Sequence, residues 1–105
     1  MEIIQVECYS DVTNAAIVRT PGRSFPGMVF QGDTLRILHK NAVNAVTLLD
    51  KGEITDARDY LVEIVESLHD RLSQYELVLE SCGIALPYTE SVRLTPRSND
   101  QADPA

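Results

Sequence analysis

Two apolar-striped segments of unequal length, separated by Asp50-Lys51-Gly52, constrain this chain more than any other feature. In residues 34–50, Leu35, Leu38, Ala42, Ala45/Val46 and Leu49 recur at helical spacing. In residues 55–82, Ala57, Leu61, Ile64, Leu68, Leu72, Tyr75, Leu79 and Cys82 follow at steps of 4, 3, 4, 4, 3, 4 and 3. Each pattern predicts an amphipathic helix, with Asp33 and Thr55 as N-caps, Gly52 at the C-terminal left-handed position of the first and Gly83 ending the second. A connection this short makes the two helices antiparallel neighbours, and each stripe is expected to face the other. At 1.5 Å per residue the first spans about 25 Å and the second about 40 Å. The Leu72–Cys82 end therefore overhangs, and either the N-terminal strands or a second copy of the chain must cover it.

The segment before the helices has a different period. Ile4, Val6 and Cys8 alternate with Gln5 and Glu7, the pattern of a half-buried strand near 2–9. Further strands are expected near 15–19 and 28–31, with Pro21-Gly22 and Pro26-Gly27 forming turns between them. The fold class is thus α+β: a small antiparallel β module packed on an antiparallel two-helix hairpin. Ile84, Leu86 and Tyr88 are expected to fold back on the core, with Glu90–Leu94 as a further edge strand. Residues 1–94 read as a single domain and 95–105 as a disordered tail.

Composition excludes several function classes. A net charge of −7 over 105 residues argues against direct binding of nucleic acid, which needs clustered Lys and Arg. No apolar run approaches the roughly 20 residues of a membrane span. Glu2 and Glu7 stand where a secretory signal would carry basic residues, so a cytoplasmic location is expected. Cys8 and Cys82 are then expected to be reduced and to act as small core hydrophobes. His39 and His69 have no second ligand at metal spacing, and no nucleophile–base pair or phosphate loop is present. Neither a catalytic residue nor a cofactor is expected.

Charge is unevenly placed. Residues 1–51 hold five acids and five bases, whereas 52–82 hold eight acids and two bases. Glu53, Asp56, Asp59, Glu63, Glu66 and Asp70 run at steps of 3, 3, 4, 3 and 4, about 200° around the helix from the apolar stripe. Such a row is either a solvated face or a docking surface for a basic protein.

Between the strands and the helices, Pro21, Gly22, Arg23, Phe25, Pro26, Gly27, Gln31 and Asp33 form the other concentrated feature. As scaffold, the turns redirect the chain and Phe25 plugs the core. As a site, they present Arg23 and Phe25, residue types common among interface anchors. The run PGRxFPG followed by QGDxL resembles the signature of an uncharacterised family of small bacterial proteins, a domain of unknown function, over roughly residues 1–90. The resemblance implies a bacterial cytoplasmic origin and functional weight on Pro21–Asp33, with no activity or cofactor attached.

Three functions are compatible with these features. The first is a non-enzymatic, immunity- or antitoxin-like inhibitor whose acidic row docks on a basic partner such as a toxin or nuclease. The second is a self-associating structural or adaptor protein, a homodimer joined through Leu72, Tyr75 and Leu79. The third is a small enzyme or ligand binder using Arg23, Gln31 and Asp33 at the Pro-Gly corner.

Overall fold

The computed structural model describes residues 1–12 and 15–94; the expected tail at 95–105 lies outside the described residues. Three short strands, β1 (Glu7–Ser10), β2 (Ile17–Arg19) and β3 (Gly27–Met28), precede two helices, α1 (Gly32–Asp50) and α2 (Ile54–Ser81). The strands form one antiparallel sheet in the order β1-β2-β3, giving the expected α+β architecture.

Both helices end in the same way. The Glu53 N–H donates to the Leu48 carbonyl at 2.9 Å and the Gly52 N–H to Leu49 at 3.0 Å. At the end of α2, Ile84 bonds back to Leu79 at 2.9 Å and Gly83 to Glu80 at 3.1 Å. These paired bonds close the last turn around a left-handed residue, and Gly52 (φ 78) and Gly83 (φ 70) supply it without a Cβ clash. The starts differ from expectation. Gln31, extended, is the N-cap of α1, and Glu53 is that of α2; neither side chain caps its helix. Asp33 and Thr55 lie inside the first turns, because Gly32 and Ile54 are already helical. The Asp33 carboxylate accepts the Thr34 N–H at 2.8 Å and places its charge at the positive end of α1.

The β module is smaller than its sequence suggests. Residues 2–6 are exposed and unpaired, since β2 offers only three residues to pair with. A bulge in β1 sets Cys8 opposite Val18 and Ser10 opposite Ile17, leaving Tyr9 as the extra residue. The bulge breaks the two-residue alternation. Tyr9 packs on the core, while Ile4, Val6 and Cys8 stay exposed. Cys82, just past the end of α2, is exposed as well, so neither cysteine is a core hydrophobe.

The core gathers where α2 overhangs α1. Ile17, Tyr75 and Leu79 are buried together, ringed by Tyr9, Met28, Val78, Ile84, Leu86 and Tyr88. The Tyr75 hydroxyl donates to the Pro26 carbonyl at 2.6 Å and fastens the Pro-Gly corner to α2. Residues 84–88 fold back as expected, but 92–94 form a turn rather than an edge strand. That turn is tied down by Glu76, a fully buried carboxylate. Burial pushes the Glu76 pKa up, but bonds from Ser91, Tyr88 and the backbone N–H groups of Val92 and Arg93 outweigh it and hold the group at about 2. Burial, then the same bond to Glu76, pushes the Tyr88 hydroxyl well above its usual range.

Candidate functional site

The two helices pack along their length, yet their apolar stripes do not meet squarely. On α1, Ala45 is buried and Leu38 and Leu48 are half-buried, while Leu35, Val46 and Leu49 remain exposed. On α2, Ala57 is buried and Ile64 half-buried, while Ile54, Leu61, Val65, Leu68 and Leu72 remain exposed. At about 100° per residue, the exposed row sits roughly 85° around α1 and roughly 60° around α2 from the packed edge, in the same rotational sense. Because the helices run antiparallel, that shared sense places both rows on the same side of the hairpin. The eight exposed side chains range from 37% (Leu72) to 67% (Ile54) accessible. They offer on the order of 700 Å², more than the largest apolar patch of a typical monomer and close to the ~800 Å² per partner of a standard interface.

The acidic row lies away from this face. Glu53, Asp56, Asp59, Glu63, Glu66 and Asp70 are all exposed. Among the described residues, Glu53, Asp56, Asp59, Glu63 and Asp70 have no ion-pair partner. Like charges at i, i+4 repel by a few tenths of a kcal/mol each, so the row carries a small standing cost. Glu76 and Glu80, further along the same helix, are instead engaged by Arg93, at 3.3 and 2.7 Å.

The Pro-Gly corner is divided between scaffold and surface. Pro26 is buried under Tyr75, whereas Pro21, Gly22, Arg23, Phe25 and Gly27 are exposed. Phe25, at 44% accessible, does not plug the core; Tyr75 and Met28 fill that place. Arg23 lines two shallow depressions, one beside Glu7 and Arg19 and one beside Phe25. The Glu7 carboxylate accepts bonds from Arg19 and Tyr9, which lowers its pKa, so in the first depression Glu7 and Arg19 are paired with each other and Arg23 is the remaining charge. Gln31 and Asp33 are exposed and line neither depression, so the structure does not assemble Arg23, Gln31 and Asp33 into one pocket.

A different cleft opens on the other side of the corner, with a volume of about 320 Å³. Pro26, Met28 and Phe30 form one wall, and Leu68, Arg71 and Leu72 of α2 form the other. The Arg71 guanidinium lies 5.3 Å from the centroid of the Phe30 ring. Arg71 carries one signal in the sequence: it is one of two bases among the eight acids of residues 52–82, and it stands on the helix face that carries the apolar stripe.

Among the described residues, no group of three or more His, Cys, Asp or Glu side chains is placed to hold a metal ion, and no helix is long and apolar enough to cross a membrane. A family model described as a family of unknown function (DUF6959) matches residues 1–88. No curated protein and no solved structure matches the chain.

Proposed function

The chain belongs to this family of unknown function, DUF6959, and we propose that it works as a self-associating, non-enzymatic protein-binding module. The observation that carries this reading is the set of eight exposed apolar side chains that helical geometry places on one side of the α1–α2 hairpin. Its occupant is a second copy of the chain. A face-to-face pair of hairpins makes a four-helix bundle, in which each copy covers the other's exposed row. The surface presented is close in size to what a stable interface needs, and the acidic row points away from it. Two chains of net charge −7 can therefore meet without setting their carboxylates against each other. Tyr75 and Leu79 take no part, because both are buried within the chain at 5% and 0% accessible. The association proposed here uses Leu35, Val46, Leu61 and Val65 instead.

Sedimentation of the full chain across micromolar concentrations tests the proposal, with Val46→Asp as control. A reversible dimer that the substitution abolishes supports it. A strict monomer at ~100 μM rejects it.

The acidic row, in which Glu53, Asp56, Asp59, Glu63 and Asp70 have no ion-pair partner among the described residues, favours a second, compatible reading. In the dimer it faces outward, available to a basic protein such as a toxin or nuclease that this chain would inhibit. Such binding weakens with salt and is lost on charge reversal at Glu63, Glu66 and Asp70. A complex indifferent to both treatments rejects this partner class.

A further inference from the structure

We propose that the cleft between the Pro-Gly corner and the middle of α2 binds a small apolar carboxylate, with Arg71 as the residue that reads the carboxylate. The site is separate from the acidic row, and its wall shares Leu68 and Leu72 with the apolar face proposed above for self-association.

Three observations converge on this chemistry. The cleft measures about 320 Å³, at the small end of the range for ligand sites, and its walls at Pro26, Met28, Phe30, Leu68 and Leu72 are hydrocarbon. Its one formal charge is Arg71, which has no ion-pair partner among the described residues. The Arg71 Nε is buried and makes no hydrogen bond. A buried donor without a partner is costly, and the flat guanidinium fork suits a two-oxygen acceptor. The guanidinium rests against the Phe30 ring, and that contact supplies no hydrogen bond to Nε.

The remaining polar groups on the wall narrow the ligand class. The Tyr75 hydroxyl proton is already given to the Pro26 carbonyl and that of Tyr88 to Glu76. Neither is free to donate to a neutral hydroxyl or amide ligand. One cation in an apolar cleft matches one negative charge on a hydrocarbon body, and a phosphate dianion would be left short of donors. A linear acid of about eight carbons, or a phenylalkanoic acid of similar bulk, fits both the size and the charge.

The experiment titrates the full-length protein with octanoate, 1-octanol and octylammonium, followed by ¹H–¹⁵N spectra that include the Arg71 Nε–H signal. Octanoate is expected to bind at least about tenfold more tightly than either of the others, moving the signals of Phe30, Leu72 and Arg71 Nε–H. The Arg71→Met variant, which keeps length and apolar bulk, is expected to lose that preference. Equal binding of octanoate and 1-octanol overturns the proposal, as does no octanoate binding at ~1 mM or an unchanged preference in Arg71→Met. Should that variant fail to fold, the three-ligand comparison and the Arg71 signal in the unaltered chain decide the matter alone.

Discussion

Glu76 holds the C-terminal segment on the domain. It sits one residue after the core Tyr75, and its two oxygens accept bonds from Tyr88, Ser91, Val92 and Arg93. Its pKa is about 2 in the folded protein, against an ordinary value of 4.5. A carboxyl group with a lowered folded pKa stabilises fully above the unfolded value, and that stabilisation fades as pH falls through the folded one. Urea unfolding should therefore show an intact contribution above pH 4.5, shrinking towards pH 2 by on the order of 3 kcal/mol. Glu76→Gln should remove a similar amount at pH 7 and flatten that pH dependence, because an amide nitrogen would face N–H groups that cannot accept. Tyr75 carries a simpler bond. Tyr75→Phe strands the buried Pro26 carbonyl and should cost about 1–2 kcal/mol by denaturant titration.

At the scale of elements, the helix ends are fixed by backbone bonds around glycine rather than by side-chain caps. Gly83→Ala forces a Cβ into a left-handed residue although nothing crowds that position, so the cost is conformational only. A loss of about 1 kcal/mol, read from the thermal midpoint, is expected. The hairpin itself has a narrow seam. Ala45 and Ala57 let the helices approach closely, and the larger side chains on either side of them are left partly or wholly outside. Substitution of Val46 by Asp should therefore leave the circular dichroism of the isolated chain unchanged while abolishing association.

For the whole molecule, the buried hydrophobic set among the described residues is Ala15, Ile17, Ala45, Ala57, Tyr75 and Leu79, three of them alanines. A single chain of this size has little core to spare. Covering the hairpin face in a dimer would link stability to concentration, so the thermal midpoint should rise by roughly 5 °C per tenfold increase in protein. The Val46→Asp variant should show no such rise.

Much of this was legible in the residues. Period and punctuation give two helices, their glycine stops and their unequal lengths, because helical geometry depends on local spacing alone. The overhang of α2 followed from length, which left its cover open between the strands and a second copy; packing chose the strands and residues 84–88. The row of acids at 53–70 was visible for the same reason. The facing of each stripe was not, since the packed seam runs along one edge of each stripe, through Ala45 and Ala57, and leaves the other edge exposed. Nor were the bulge at Tyr9, the burial of Glu76, and the meeting of Arg71 with Phe30. Each depends on segments distant in sequence arriving at one place. Spacing along the chain fixes which side chains share a face, but only packing among elements decides which face is covered.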